Sequence, residues 1–448
     1  MNILAATEGG QPSSTIKRAN RMRARGVRAA LAWDTKTSWF VKRFLEQLHF
    51  TTGGLRLSAG QGRVAETTFL DITVVIGAVI GLFIGDGSVE FFDSHLALNL
   101  AEIALALLLF VDAVDVRGSI RAQFGPVPLR LLFIALPLSV AMVVALGLSL
   151  PLGLSTAAVL AIACISVPAD FSPELSIVRD KRIPNQVRRW LSVESGYNDG
   201  LVAPLLLGAL ALASSTTTPG TDAVAALLSA APAGLLAIIV GSIVGTAVGK
   251  LFGVVLRAGW ADQQSIRIGI AALPMATFGL ALLVGANGFV AAFVCGIAFR
   301  FARGKGWKEE PELSFVEDLT STVNLFLWLA FGVAAVTLVS ATYTWWPTLL
   351  LAFFALTVGR FIPVWVSLLG TRLRPRDRLF IATMGPRGAA SIVFGLIAFN
   401  ALPLDQGYPV LAAACLVVLG SIIVHGAGGT LLISRFYGNT DNRLRRRP

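Results

Sequence analysis

Two clusters of oxygen-bearing side chains have types and spacing suited to chemistry, and both sit inside apolar runs. The stretch Cys164-Ile-Ser-Val-Pro-Ala-Asp170-Phe-Ser-Pro-Glu174 sets a carboxylate between two prolines, and Glu194-Ser195-Gly-Tyr-Asn198-Asp199 sets two more in the next run. A proline gives no N–H to a helix and clashes with the carbonyl four residues earlier, so regular hydrogen bonding fails around Asp170 and backbone carbonyls are released. Carboxylate, hydroxyl and carbonyl oxygens together suit a hard cation such as an alkali ion. A buried carboxylate that can hold either a proton or a cation makes the two compete. With access alternating between two sides of a membrane, that competition suffices for obligatory exchange.

Helical geometry separates the acids. At about 100° per residue Ser195 and Asp199 share a face, whereas Glu194 points about 140° away from Asp199. The two acids therefore need different partners. Glu194 is available to neutralise Arg387 in a buried ion pair that locks two helices, and Asp199 stays free for a proton or a metal ion. Arg387 lies in a second interrupted run, Met384-Gly-Pro-Arg387-Gly-Ala-Ala-Ser391. Interruptions in both halves of a chain point to an inverted repeat with the site between them. Glu102, Asp112, Asp115 and Arg360 are further ionisable residues in apolar runs. A charge at the bilayer centre costs roughly 2.5–3.5 kcal/mol, so such residues usually face a cavity. Acids outnumber bases here, which favours a cation as cargo; Asp112 and Asp115, near the end of their run, read as wet and structural.

The elements that must position these groups are membrane spans. Of 448 residues 55% are hydrophobic and 14% charged, with a mean hydropathy of +0.73. Water-soluble domains have nearer a quarter charged residues. Runs long enough to cross a bilayer are centred near Val75, Leu105, Leu138, Ile162, Leu205, Ile239, Met275, Phe293, Leu327, Phe354, Ile392 and Val417, which makes an all-α polytopic membrane protein of about 12 transmembrane helices. With both termini cytoplasmic, Arg117, Arg121, Arg130, Arg179 to Arg189, Lys250 to Arg267, Arg300 to Lys308 and Arg372 to Arg378 fall in inner loops. The outer loops around Gly87, Pro151, Thr217, Gly285, Tyr343 and Gln406 have no Lys or Arg. The positive-inside rule predicts this asymmetry, and one missed span would invert every later loop. The expected location is the inner or plasma membrane.

Three segments follow: residues 1–68, a basic cytoplasmic extension; 69–435, the transmembrane domain; and 436–448, a basic cytoplasmic tail. Residues 1–68 contain eleven Lys or Arg and no signal-peptide pattern. Trp39, Phe40, Phe44, Leu45 and Leu48 recur there at helical spacing, which fits an amphipathic helix on anionic lipid as well as a disordered extension. The formal charge of +11 reflects topology, and no nucleic-acid partner is expected.

Enzyme chemistry is not implied. His49, His95 and His425 do not cluster, and no Gly-x-x-x-x-Gly-Lys-Ser/Thr run is present, which argues against an ATP-driven pump. His425 reads as a helix-packing residue. Cys164, Cys295 and Cys415 are far apart, without metal-ligand spacing, and read as buried thiols. No resident cofactor is expected. Two other classes use the same acids: a cation channel, against which no carbonyl filter motif is found, and a non-transporting membrane sensor or scaffold.

At these residues the chain resembles the monovalent cation:proton antiporter-1 family, the sodium/proton exchangers. The family's E-S-x-x-N-D motif is matched by Glu194, Ser195, Asn198 and Asp199. Its L-R-G-A-x-S segment is matched by Arg387, Gly388, Ala389 and Ser391, with Pro386 in place of the leucine. Looser matches at Ala101 to Phe110, Gly288 to Gly296 and His425-Gly extend the likeness over roughly residues 66–435. The resemblance implies the sodium/proton antiporter fold, with two crossed, unwound helices, and electroneutral exchange of Na⁺, or of K⁺ or Li⁺, for H⁺. It implies that Asp199 is the shared proton and cation carboxylate, that Asp170 and Ser195 help ligate the cation with Glu102 close by, and that Glu194 and Arg387 form an ion pair which Asn198 helps to order. A homodimer is implied too. The family has Thr-Asp-Pro where this chain has Ala169-Asp170-Phe171, so a hydroxyl and a proline are replaced at the expected site. Many relatives have thirteen spans, and the one without a counterpart is the first.

Overall fold

A computed structural model describes residues 63–85, 87–92, 94–115, 125–171, 180–214, 222–304, 307, 309–339 and 345–438. The amphipathic stretch from Trp39 to Leu48, Pro173, Glu174 and the terminal arginine run lie outside the described residues. Among the described residues every regular element is a helix. In chain order these are α1 Arg63–Ile84, a short α2 Gly87–Phe92, α3 His95–Asp115, α4 Pro126–Ser149, α5 Thr156–Ser166, α6 Asn185–Ser214, α7 Asp222–Arg257 and α8 Gln263–Leu283. Then come α9 Gly288–Arg303, α10 Glu309–Val339, α11 Trp345–Ser367, α12 Pro375–Thr383, α13 Ala389–Ala401, α14 Leu404–Ser421 and α15 Gly428–Tyr437.

Each of the twelve expected span centres falls on one of these helices, although the first helix begins at Arg63, inside the segment read as a polar extension. Among the described residues eight runs are long and apolar enough to cross a bilayer: α3, α4, α6, Ala231–Arg257 of α7, α8, Pro311–Val336 of α10, α11, and Leu404–Gly426 from α14 into the turn beyond it. The helices around Ile162 and Ile392 are short. α5 has 11 residues and α13 has 13, against the roughly 20 that a full crossing needs. Each shares its crossing with irregular chain.

The sequence accounts for both breaks. Pro168 has no N–H for the Cys164 carbonyl, so α5 stops at Ser166 and residues 167–171 leave the helix. α12 ends where Met384 turns extended, at φ −90° and ψ 118°, just before Gly385-Pro386. Gly388, at φ −140° and ψ −147°, leads into α13.

Elsewhere the helices are held by small residues. A Cβ on Gly241, Gly245 or Gly249 of α7 would lie 2.4 Å from the Ala291 carbonyl oxygen, 2.3 Å from that of Cys295 and 2.8 Å from the Ala302 Cβ, so α7 and α9 touch backbone to backbone. Gly77 of α1 and Gly332 of α10 make a second such seam, each reaching the other helix's carbonyls. Close approach through small residues is how helices gain van der Waals contact where lipid supplies no hydrophobic drive. α3 packs on α9 and also on α6 and α13, and so links these seams to the broken helices. The three cysteines are buried and unpaired.

Candidate functional site

The two irregular segments cross and hydrogen-bond to each other. The Asp170 N–H donates to the Pro386 carbonyl at 2.8 Å, and the Ser391 hydroxyl donates to the Ile165 carbonyl at 2.8 Å. Arg387 Nε donates to the Ser166 carbonyl at 2.6 Å, and its Nη1 reaches the Gly385 carbonyl. α6 supplies the remaining partners. Asn198 Nδ2 donates to the Ala169 carbonyl at 2.7 Å, and the Phe171 N–H donates to Ser195 Oγ at 3.2 Å. A buried backbone group without a partner costs as much as a lost hydrogen bond, so these side chains are what makes unwound backbone tolerable here.

The ion pair differs from the one expected. Glu194 lies against Arg360 of α11, not Arg387, with Nη1–Oε1 at 2.8 Å and Nη2–Oε2 at 3.2 Å. The same guanidinium donates through Nε to the Met384 carbonyl at 2.8 Å. Gly385 makes room for it, because a Cβ there would sit 2.0 Å from Arg360 Nε. Arg387 is instead wrapped by carbonyls, and its Nη2 is buried without a hydrogen-bond partner. Each arginine thus caps the C-terminal end of one half-helix, Arg387 that of α5 and Arg360 that of α12. Helix C-termini carry partial negative charge, so cations belong at both. Arg360 is the residue whose role the sequence reading missed. Its signal was a lone arginine in the middle of an apolar run with no assigned counter-ion.

Asp199 is on the other face of α6, as the helical phase requires. It is 2% exposed, and its Oδ1 is buried without a hydrogen-bond partner, as is Oδ1 of Asn198. Asp170, Asp112 and Arg387 are the charged groups that act on it electrostatically. Asp112, read from sequence as wet and structural, therefore belongs to this neighbourhood. Glu102 is half-buried on α3 and is not among the groups acting on Asp199; it sits about 15 Å along the helix from Asp112 at 1.5 Å per residue. Beside Asp199, Gly200 lies flat on the Phe293 ring of α9, and Tyr197 meets that ring edge-on at 5.7 Å. Pro204 inside α6 has no N–H for the Gly200 carbonyl. Ala169 and Phe171 are both buried, and Phe171 packs into an apolar cluster with Leu191 and Phe380. A proline at 171 would have no N–H for Ser195.

The arrangement is therefore a buried carboxylate oxygen without a hydrogen-bond partner, on the helix that also hydrogen-bonds the unwound 169–171 segment through Ser195 and Asn198, with a second carboxylate, Asp170, acting on it electrostatically. The model of a family described as "Sodium/hydrogen exchanger, transmembrane" matches residues 60–434. The chain belongs to that family. Among curated proteins, this exchanger-family chain is 25% identical over 374 residues to the K⁺/H⁺ antiporter NhaP2 of Shewanella oneidensis, covering 80% of this chain and 61% of that protein. It is 25% identical over 284 residues to a probable Na⁺/H⁺ antiporter of Schizosaccharomyces pombe, covering 55% of this chain and 36% of that one. The chain thus spans less than two thirds of the length of either relative. Among solved structures, the sodium proton antiporter MjNhaP1 of Methanocaldococcus jannaschii at pH 8 superimposes with a TM-score of 0.63 at 18% identity, covering 82% of this chain and 100% of that one. The likeness establishes the antiporter fold of this multi-pass membrane protein, in agreement with the crossed segments.

Proposed function

We propose that the chain is a secondary transporter that exchanges a monovalent cation, Na⁺ or alternatively K⁺ or Li⁺, for H⁺. The observation that carries this reading is the unpartnered, buried Oδ1 of Asp199 beside the crossing of the two unwound segments. Asp199 holds a proton in one step and the cation in the other. Asp170 and Ser195 complete the cation's shell; the Ser195 oxygen accepts from the Phe171 N–H and keeps a second lone pair for a metal ion. Asn198 fixes the 169–171 backbone in ligating position. Glu194 and Arg360 form the structural pair, and Arg387 balances the negative ends that would otherwise bind the cation too tightly to release it. Glu102 is outside the ligand set. A single shared carboxylate makes the exchange electroneutral, one proton for one cation. The names of the antiporter relatives agree with this class, and no observation favours a channel or a scaffold.

The transporter sits in the inner or plasma membrane with both termini cytoplasmic, an orientation supported by the one-sided distribution of Lys and Arg between loops, and the family resemblance supports a homodimer. The test is dissipation of an acid-inside pH gradient in proteoliposomes on addition of Na⁺, K⁺ or Li⁺. Cation-dependent alkalinisation that disappears in Asp199→Asn supports exchange and ranks the cations. No response to any of them from folded protein refutes it.

A further inference from the structure

The unwound segment after α12 is pinned from a second side, by a residue that the exchange chemistry does not use. Where α12 ends, the N–H groups of Gly385 and Arg387 lose helical partners, and two side chains four residues apart at the end of α14 recover both. The Arg387 N–H donates to Ser421 Oγ at 2.7 Å, and the Gly385 N–H donates to His425 Nε2 at 3.3 Å. Between them, the Pro386 carbonyl accepts from the Asp170 N–H. Three consecutive residues of one irregular segment are thus fixed, and the middle one bears directly on Asp170. At Ile422–Ala427 the helix that contains His425 changes to a π-helical turn, a feature often found at functional positions.

The bond from the Gly385 N–H selects one tautomer of the neutral His425 ring. Nε2 accepts from that backbone donor. Nδ1 lies 3.3 Å from the Ser421 carbonyl oxygen and 3.4 Å from its hydroxyl, so Nδ1 has the hydrogen. The ring is 1% exposed, and the charged groups acting on it are Arg387 of the unwound segment and Arg360 of α11, the latter paired with Glu194 of α6. A second ring proton would set two N–H groups against each other and place a third cation beside two guanidiniums, which the ring's backbone hydrogen bonds to Ser421 and Thr383 offset only in part.

We propose that His425, together with Ser421, is a positioning residue that holds Met384 to Gly388 in the site-competent shape only while its imidazole is neutral, so that acid releases the segment from within. This extends the reading of His425 as a packing residue, and its transport arm rests on the proposed exchange activity.

The experiment is hydrogen–deuterium exchange of peptides spanning residues 384–391 in the purified full chain, corrected for intrinsic rates, from acid to neutral pH. Wild type is compared with His425→Gln, whose amide oxygen accepts a hydrogen bond but does not titrate, and with His425→Ala. Losing one net hydrogen bond is expected to reduce protection up to about tenfold. Wild type should lose that protection on acidification, His425→Gln should keep it throughout, and His425→Ala should lack it at every pH. In proteoliposomes His425→Ala should raise the cation KM severalfold with little change in kcat, and His425→Gln should restore it and flatten the acid limb of the pH profile. Wild-type protection in His425→Ala, or the same acid loss in His425→Gln as in wild type, overturns the proposal. If His425→Ala does not fold, the glutamine comparison alone decides. If wild type exchanges no cation, the transport reading fails while the protection measurements still decide the role of His425.

Discussion

The α7–α9 seam and the crossing of the two unwound segments solve opposite problems inside one bilayer. At the seam both helices run unbroken past each other, so contact is gained by deleting side chains: Gly241, Gly245 and Gly249 bring backbone against backbone. At the crossing the helices stop, and the backbone groups they abandon are taken up by Arg387, Arg360, Asn198, Ser195 and Ser391. At Gly241, Gly245 and Gly249 the seam is made of backbone and small apolar groups, and charge enters further along, where Arg303 of α9 reaches Gly253 of α7. The crossing concentrates charge, and its neutral hydrogen bonds, those of Asn198, Ser195 and Ser391, contribute on the order of 1 kcal/mol each, so modest changes suffice to rearrange them. A rigid wall beside a weakly held, polar centre is the combination an exchanger needs.

The largest effect that separates the two regions should come from Glu194→Ala. It leaves the Arg360 guanidinium buried beside Met384 without its counter-ion, a loss of about 3–5 kcal/mol, and melting in detergent should fall accordingly. Arg387→Ala should instead leave the Glu194–Arg360 pair intact, so a double-mutant cycle should find strong coupling of Glu194 to Arg360 and weak coupling to Arg387. Strong coupling of Glu194 to Arg387 would return the pair to the partners first expected. Next, Gly245→Val at the seam should cost about 1–3 kcal/mol by overpacking and lower the melting temperature, while the cation KM of the surviving folded fraction stays near wild type. A changed KM with unchanged melting would mean that the seam is part of the site. The smallest effect that separates the two regions is on cation binding and belongs to Phe171→Pro, which removes the N–H donated to Ser195 and frees a lone pair of the hydroxyl. The expected outcome is a severalfold change in cation KM, larger when combined with Ala169→Thr, accompanied by a stability loss of roughly 3–5 kcal/mol because the buried Phe171 ring is lost from its cluster with Leu191 and Phe380.

Much of this was legible in the residues. Hydropathy put all twelve expected span centres on helices, proline chemistry located both breaks, and helical phase put Glu194 and Asp199 on different faces of α6. Phase gives the direction of a side chain from its own axis but not which neighbour lies there. For that reason Glu194 was assigned to Arg387, which belongs to a recognisable segment, when Arg360 was the residue across from it. Asp112 was discounted for the same reason: its position near the end of α3 says nothing of how α3 leans on α6. Glu102 was placed near the site by likeness to a motif, whereas the rise of α3 sets it well along the helix from Asp112. The glycines of α7 are spaced at i, i+4 and i+8, a pattern visible in the sequence whose partner helix is not.

The central claim is that one carboxylate, Asp199, is contested by a proton and a cation. The most direct measurement is the number of protons released when Na⁺, K⁺ or Li⁺ binds to the purified protein in weakly buffered detergent solution, followed with a pH indicator and by calorimetry. The account predicts close to one proton released per cation bound, and neither binding nor release in a folded Asp199→Asn variant. Cation binding with no proton released, or release undiminished in that variant, would contradict it.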